Sequence, residues 1–236
     1  MGFYDRDYIQ DSRAVGAFST RVYGWMSIGL GFTAAVAYFL FKTGLYISLM
    51  PFWWVWMFGT FGVAMGINGA LNRLSIKSVI ALFLTYAGLQ GILFGTMLPL
   101  FASAYGGQVI WSAFLAAASI FALAVGYGVF TKNDLTSLGK ILSLALVGLI
   151  GITFVFLILS FFIPLGWAHL FISYLGLAIF VGLTAYDAQT IRSFSMQADI
   201  NSVASYKLSM VMALKMYINV IMIFWYLLQI FSSNRR

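Results

Sequence analysis

Two ionisable residues lie within apolar segments near the carboxyl end of the chain, Asp187 and Lys215. Asp187 belongs to the stretch GLTAYDAQTIRSF, five residues before Arg192. Lys215 and Asn219 are four residues apart, so they would share one face of a helix. Because a charge at the centre of a bilayer costs on the order of 3 kcal/mol, few such residues persist without a partner or a role. We expect Asp187 to face the interior of a helical bundle and to contact the last helix near Lys215 or Asn219.

Asp187 also has a purely structural interpretation. A carboxylate near the membrane surface can be neutralised by a cationic partner, here Arg73 or Arg192. Lys215 lies only a few turns inside the last apolar segment, and its long side chain can reach lipid headgroups. Arg73 and Lys77 flank the connection between the second and third spans; they are candidate partners of Asp187 on the inner side, and the alternative is that they only set the topology. The residue types alone leave the functional and the structural interpretation of Asp187 open.

Membrane-spanning helices must position these residues, because the chain is 62% hydrophobic and only 8% charged, against about 25% charged residues in a soluble domain. A helix needs about 20 apolar residues to cross the bilayer. The sequence therefore predicts an all-α, polytopic membrane protein with a bundle of seven transmembrane helices. The predicted spans are Val22–Phe41, Pro51–Leu71, Val79–Leu98, Val109–Phe130, Leu138–Phe162, Ala168–Thr190 and Tyr206–Phe231. The predicted breaks are Lys42–Gly44, Pro99, Gly106–Gly107, Lys132–Asp134 and Pro164–Gly166.

The distribution of Lys and Arg predicts the topology. With the N-terminus inside, the inner segments hold nine of the 13 Lys and Arg residues and the outer segments hold three, while Lys215 lies within the last span. We divide the chain into a cytoplasmic tail (residues 1–21), a transmembrane domain (22–232) and a basic end (233–236). The basic end lies outside if all seven helices span, and inside if the last helix is half inserted. Lys and Arg collected in the inner segments account for the net charge of +7. The positive charge therefore does not indicate binding to nucleic acid, and we expect no nucleic-acid partner.

Two pairs of glycines have the four-residue spacing that lets membrane helices approach each other closely. These are Gly62 with Gly66, and Gly91 with Gly95. We predict that both pairs serve helix packing.

The sequence contains few of the residues that catalytic sites use. The chain has no Cys and a single His, His169, at the start of the sixth span, where a Ser-His pair does not fit. It contains no His-Glu-x-x-His zinc motif and no Gly-rich phosphate loop. A retinal protein with a Schiff base at Lys215 would need a carboxylate in the third span, where the sequence has none. We expect neither an enzyme nor a cofactor.

The segment Ala185-Tyr186-Asp187-Ala188-Gln189 resembles the Ala/Gly-Tyr-Asp-x-Gln signature near the end of the sixth helix in the transmembrane Bax inhibitor motif family, in particular in its bacterial members. The last span, ALKMYINVIMIFWYLLQIFSSNRR, is similar to the last helix of that family. The resemblance implies a seven-helix protein of the bacterial inner membrane that leaks cations, calcium above all, in a pH-sensitive way. It also implies a pair of hydrogen-bonded aspartates, one on each of the last two helices, that shares a proton in the closed state.

This chain departs from that pattern, because Asp187 matches the first aspartate while Asn219 occupies the second position. An amide can donate and accept hydrogen bonds but cannot titrate. Lys215 lies one turn before Asn219 and could pair with Asp187. We therefore expect a pH-sensitive cation leak or ion-homeostasis protein, gated by Asp187 with Asn219 and Lys215, whose pH response is weaker or shifted. The expected partners are membrane lipids and cations, with Ca²⁺ first.

The resemblance also implies an alternative function. Some bacterial relatives bind and restrain a membrane-anchored quality-control protease, so a membrane protein would be the partner here. In that case the exposed N-terminal tail would matter and Asp187 would not. Deletion of residues 1–20 and, separately, Asp187→Asn would distinguish the two functions.

Overall fold

The computed structural model describes residues 4–70, 74–159, 166–196 and 202–233. Within these residues the chain forms helices and no β-strand. The helices are α1 (Tyr4–Thr43), α2 (Tyr46–Leu49), α3 (Trp53–Ala70), α4 (Ile76–Tyr105), α5 (Gly107–Phe130), α6 (Thr136–Leu159), α7 (Gly166–Ser195) and α8 (Val203–Ser233), with a 3-10 turn at Met50–Phe52 between α2 and α3.

Six of the described helices are long and apolar enough to cross a bilayer: α1 from Gly16 onward, and α4 to α8. One further long helix, α3, has 18 residues and is about 27 Å long at 1.5 Å per residue, which brings the number of long helices in the described residues to seven. The prediction of an all-α, polytopic membrane protein is therefore confirmed. The first helix begins at Tyr4, well before the predicted span at Val22, and its apolar part begins at Gly16.

Most predicted breaks lie where the helices end. Gly44, with a φ of 74°, follows α1, and Gly106, with a φ of 86°, separates α4 from α5. Glycine suits both positions because it has no Cβ to clash in this left-handed region. The predicted break at Lys132–Asp134 lies in the connection between α5 and α6. The predicted break at Pro164–Gly166 ends where α7 begins, but residues 160–165 lie outside those that the structure describes.

The predicted break at Pro99 is wrong, because Pro99 lies inside α4, which continues to Tyr105. Proline lacks the amide hydrogen that would bond to the carbonyl four residues earlier, but membrane helices tolerate this loss when their surroundings satisfy the freed carbonyl. The helix ends instead at Gly106, whose amide still donates to the carbonyl of Ala102 at 2.9 Å.

The chain divides into two compact units, of which unit 1 comprises Met1–Leu100 and Ile191–Tyr217. Within unit 1, α1 and α4 approach each other closely at the predicted pair of glycines. A methyl group added at Gly91 would overlap the backbone carbonyl of Thr33, and one added at Gly95 would press on the backbone of α1. The packing prediction for Gly91 and Gly95 is confirmed.

The other predicted pair of glycines lies in α3. A methyl group at Gly62 would meet no described atom within 4 Å, so Gly62 does not show the predicted packing. The structure does not describe the contacts of Gly66.

A buried chain of hydrogen bonds joins three helices of unit 1. The hydroxyl of Thr33 in α1 donates to the carbonyl of Ala87 in α4 at 2.9 Å, and lies 2.6 Å from the hydroxyl of Tyr217 in α8. Because the single hydroxyl hydrogen of Thr33 is used for Ala87, Tyr217 must be the donor to Thr33. The rings of Phe83 and Tyr86 pack edge-on against Tyr217. These contacts fix the first half of α8 against α1 and α4.

Unit 2 comprises Phe101–Thr190 and Ile218–Arg236. Within it α7 packs against α5 and α6 through glycines. A methyl group at Gly128 of α5 would overlap the backbone of Ala185, and one at Gly139 of α6 would overlap the ring of Tyr186. The turn of α7 that carries Asp187 is thereby packed tightly against α5 and α6.

The outer faces of α5 and α6 are strongly exposed and apolar. Phe130 is 83% exposed, Leu144 is 75% exposed and Leu123 is 74% exposed. In a polytopic membrane protein such faces contact lipid tails, so their exposure agrees with the fold class.

Candidate functional site

The candidate site is a buried hydrogen bond between one side chain of α7 and one side chain of α8. Both residues belong to unit 2. The amide nitrogen Nδ2 of Asn219 donates to the carboxyl oxygen Oδ2 of Asp187 at 2.8 Å. Asp187 is 6% exposed and Asn219 is 4% exposed. The predicted contact between Asp187 and the last helix is thus confirmed at Asn219, and Asp187 faces the protein interior.

Two threonines, Thr184 and Thr190, flank Asp187 on α7. Thr184 donates to the carbonyl of Phe180 at 2.7 Å, and Thr190 donates to the carbonyl of Tyr186 at 2.9 Å. Both hydroxyls therefore return their hydrogen to the backbone of their own helix. In an apolar segment such a bond uses the hydroxyl hydrogen within the same helix.

Gln189, two residues after Asp187, holds the connection between α5 and α6. Its side-chain nitrogen Nε2 donates to the carbonyl of Asn133 at 2.7 Å, and its oxygen Oε1 accepts from the backbone amide of Leu135 at 2.8 Å. The amide orientation is fixed by this chemistry, because a backbone carbonyl can only accept and a backbone N–H can only donate. Gln189 therefore makes a two-point attachment between α7 and residues 131–135.

Side chains of the connection itself complete its hydrogen bonds. The hydroxyl oxygen of Thr131 accepts from the amide of Asn133 at 3.3 Å, and Asp134 Oδ1 accepts from the amide of Thr136 at 2.9 Å. Asp134 thereby satisfies one of the amide hydrogens that a helix leaves free in its first turn. The hydrogen bonds with Thr136, together with the positive charge of Lys140, hold the pKa of the Asp134 carboxyl below its ordinary value of 3.8.

A second polar contact joins α7 and α8 far from Asp187. The hydroxyl of Ser173 is the donor to two acceptors, the side-chain oxygen of Gln229 at 2.8 Å and the carbonyl of His169 at 2.7 Å, which share its single hydrogen. Near it, the ring of Tyr226 lies on Gly176, where a methyl group would overlap the ring, and 6.0 Å from the ring of Phe180. Within unit 2, α7 and α8 are therefore joined at two levels with an aromatic contact between them.

The remaining predicted site residues are placed differently. Lys215 is exposed, although it lies one helical turn from the buried Asn219. Arg192 is exposed on α7. Arg73, the other proposed charge partner, lies outside the residues that the structure describes.

The charged side chains of the connection between α5 and α6 and of the first turns of α6 are exposed. They are Lys132 and Asp134 in the connection and Lys140 at the start of α6. No group of three or more His, Cys, Asp or Glu side chains that could hold a metal ion occurs in the described part of the chain. Within the described residues, the site joins the carboxyl group of Asp187 to the side-chain amide of Asn219.

Sequence reasoning gave no role to Gln189, Gly128 or Gly139. Gln189 carries a usable signal, because an amide inside an apolar helix must find partners for both its donor and its acceptor. Its partners are backbone groups of a distant connection, which no spacing along the chain reveals. The two glycines carry no signal of their own among the 23 glycines of the chain.

Comparison with known proteins agrees with this arrangement. The family model described as "Inhibitor of apoptosis-promoting Bax1" matches residues 15–236. An uncharacterized protein of Chlamydia muridarum is 53% identical over 99% of this chain and 98% of its own length. An uncharacterized protein of Borreliella burgdorferi is 33% identical over 92% of each chain. The inner membrane protein YbhL of Escherichia coli K12 is 30% identical over 96% of each chain. The chain therefore belongs to the Bax inhibitor family that its sixth and seventh predicted spans indicate.

Proposed function

We propose that this protein is a pH-sensitive cation leak of the bacterial inner membrane, with Ca²⁺ as its first candidate ion and with Asp187 as the switching group. The observation that carries the proposal is the buried hydrogen bond between Asp187 and Asn219. A buried carboxyl group that joins two membrane helices is placed where a gain or loss of one proton changes helix contacts. We propose no catalysis and no cofactor.

The two protonation states of Asp187 require different hydrogen bonds. The ionised carboxylate only accepts, and the amide nitrogen of Asn219 supplies the donor. The protonated carboxyl also has an O–H to donate, for which the amide oxygen of Asn219 is an acceptor. Asn219 can therefore stay bonded to Asp187 in both states. Two aspartates would instead repel each other once both ionise.

The difference in hydrogen-bond free energy between the two protonation states of Asp187 is small. A hydrogen bond to a charged group contributes about 1.5–3 kcal/mol, and one between neutral groups contributes about 0.5–1.5 kcal/mol. A difference of about 1–2 kcal/mol changes an equilibrium between closed and open forms by a factor of about 5–30. We therefore propose a modest pH response, weaker than that of a protein with two aspartates at these positions.

The orientation rests on the charge distribution. Nine of the 13 Lys and Arg residues fall on one side if the N-terminus is cytoplasmic. We propose this orientation in the inner membrane, where the relative YbhL of Escherichia coli is named as a protein of that membrane.

Calcium flux from liposomes across a range of pH tests the function. We expect Asp187→Asn to flatten the pH dependence, and Asn219→Asp to steepen it by restoring a second carboxyl group. The control is Asp11→Asn, which removes a carboxylate ahead of the apolar part of α1. Identical profiles for the unmodified protein, Asp187→Asn and Asn219→Asp would refute the proposal. Repeating the assay with other cations identifies the ion.

A further inference from the structure

We propose that the side chains of Gln90 and Tyr86, in the middle of α4, border a water-filled space inside unit 1, and that cations cross the membrane past the amide of Gln90. The inference deepens the proposed function, and the part that concerns cations rests on it. Its basis is a set of hydrogen-bonding groups that find no partner among the described residues.

Gln90 lies at the depth of the hydrocarbon core. It is about 20 Å from either end of α4, a helix of 30 residues with a rise of 1.5 Å per residue. The helix is long and apolar enough to span the membrane, and the core that it crosses is about 30 Å thick. The middle of α4, with Gln90, is therefore remote from both membrane surfaces.

The described contacts use only part of the hydrogen-bonding capacity of this side chain. Nε2 of Gln90 donates to the hydroxyl oxygen of Tyr86 at 3.2 Å, and the described residues offer Gln90 no second side-chain bond. One N–H and the carbonyl oxygen of the amide are left over, as is the hydroxyl hydrogen of Tyr86. With the amide turned over, Tyr86 would donate to its oxygen, and both N–H hydrogens would be left over instead.

The amide faces the protein interior rather than lipid. Five side chains of α4 that lie within about 60° of Gln90 around the helix axis are buried. They are Val79, Phe83, Tyr86, Ala87 and Phe94. Gln90 lies at the centre of this buried face and is nevertheless only half-buried, so a space large enough for water adjoins it. Thr85, about 140° away around the axis, is exposed and lines an apolar groove with Phe32.

Water is the occupant that this space requires. Apolar groups cannot bond to an amide, and a polar group without a partner in the bilayer core is costly, so such side chains face other polar groups or water-filled cavities. A buried water molecule makes about three hydrogen bonds to groups that otherwise lack partners. Gln90 and Tyr86 together offer three such groups, namely an amide N–H, an amide oxygen and a hydroxyl hydrogen.

The groups around this space are polar and uncharged. The ring of Tyr217 packs edge-on against that of Tyr86 at 5.7 Å between centroids, and its hydroxyl is bonded to Thr33. The only charged residue of α4 is Lys77, in its first turn. Carbonyl and hydroxyl oxygens are ligands that hard cations accept, and conduction requires that a cation also leave again. A neutral amide oxygen meets both requirements better than a carboxylate would.

Reaction with Ag⁺ tests whether water and cations reach this space, because the hydrocarbon core excludes a small cation that reacts with thiols. The chain has no Cys, so Leu93→Cys supplies a single thiol one turn after Gln90 in the full-length protein in liposomes. Thr85→Cys, on the exposed apolar side of α4, is the matched control. After unfolding, the thiols that Ag⁺ has not blocked are counted with a maleimide.

We expect Ag⁺ to block Leu93→Cys about tenfold faster or more than Thr85→Cys. Combining Leu93→Cys with Gln90→Leu, which removes the amide at similar size, should slow the reaction toward that of Thr85→Cys. Equal rates for Leu93→Cys and Thr85→Cys overturn the water-filled space. A rate that Gln90→Leu leaves unchanged overturns the role of Gln90 in it.

Calcium flux tests whether cations pass Gln90. Gln90→Leu should lower the flux about fivefold at every pH, the effect of losing one hydrogen bond of ordinary strength from a group that does not titrate. Gln90→Asn, which keeps an amide, should retain more flux, and Thr85→Val should change nothing. Thermal unfolding in detergent confirms that the variants are folded.

Two results separate this inference from the proposed function. If Gln90→Leu conducts as well as Thr85→Val, cations do not pass Gln90, and a pH dependence that Asp187→Asn flattens still supports the proposed function. If Ag⁺ blocks Leu93→Cys as expected but Asp187→Asn leaves the pH dependence of flux unchanged, the proposed switch fails and the water-filled space stands.

Discussion

Gly139 of α6 lies directly against the ring of Tyr186, so closely that a single methyl group at position 139 would overlap the ring. Tyr186 is the residue before Asp187, so the contact fixes the backbone that carries the buried carboxyl group. We predict that Gly139→Ala destabilises the protein by about 1–3 kcal/mol, the usual cost of overpacking. Thermal unfolding in detergent measures this loss.

The control lies on the same helix. A methyl group at Gly148 of α6 would meet no described atom within 4 Å. Gly148→Ala should therefore leave stability unchanged or raise it by about 0.4–1 kcal/mol, because alanine restricts the unfolded chain. Equal losses for the two substitutions would show that α6 does not tolerate alanine for reasons other than Tyr186.

The strength of the Asp187–Asn219 bond can be measured by a double-mutant cycle. We predict that Asp187→Ala and Asn219→Ala are coupled by about 0.5–3 kcal/mol in unfolding free energy, the range for side chains in direct contact. Asn219→Ala alone should cost about 1–3 kcal/mol, because it leaves the buried carboxyl group without this donor. Additive single effects would contradict a direct bond.

Asp134 gives a prediction for the pH dependence of stability. Its pKa is lowered in the folded protein, so the folded state favours the ionised form. This contribution is fully present above the ordinary value of 3.8, and it is lost as the pH falls through the folded pKa. Asp134→Ala should therefore lower the unfolding temperature near neutral pH, and the difference from the unmodified protein should shrink as the pH falls below 3.8. A difference that stays constant over this range would contradict the cap at Thr136.

The hydroxyl of Tyr217 should stabilise the contact between α1 and α8. We predict that Tyr217→Phe lowers the unfolding free energy by about 1 kcal/mol, since the substitution removes the donor to Thr33 and leaves the ring in place. Tyr38→Phe is the matched control, because Tyr38 is 63% exposed on α1. Comparable losses in both variants would exclude a specific role for the buried hydroxyl.

Deletion of the N-terminal tail distinguishes a transport function from an interaction function, but the deletion must end before residue 20. Phe18 is fully buried, so deletion of residues 1–20 would remove a core side chain at a cost of about 3–5 kcal/mol. Deletion of residues 2–15 stops before the apolar part of α1 at Gly16. We predict that this shorter deletion leaves calcium flux unchanged, whereas Asp187→Asn alters it. Flux that depends on the tail and not on Asp187 would favour the restraint of a membrane protease.

The sequence predicts the fold class and the central contact for simple physical reasons. Long apolar runs require helices in a bilayer. Asp187 and Asn219 lie on neighbouring predicted helices, and a carboxyl group within an apolar helix needs a hydrogen-bonding partner. The wrong break at Pro99 has an equally simple reason, because proline is a weaker signal inside a membrane helix than in a soluble protein. Glycine at position 106, with its positive φ, is the stronger one.

Other features depend on tertiary packing and could not be read from spacing. Lys215 is exposed one turn from the buried Asn219, and which of the two side chains is covered by neighbouring helices cannot be read from their spacing. The attachment of Gln189 to Asn133 and Leu135 joins residues more than 50 positions apart. Which glycines contact α7 depends on the helix crossings, and only the folded chain distinguishes Gly128 and Gly139 from Gly148.

The amide of Asn219 also limits how sharply the proposed switch would respond to acidity. A lone carboxyl group passes from nearly full to nearly empty proton occupancy over about two pH units, and no second titrating partner in the pair is present to make the transition cooperative. A permeability governed by this pair is therefore graded, with a steepness of one proton at most. Such a protein would adjust ion balance continuously as the cell acidifies, rather than open at a threshold.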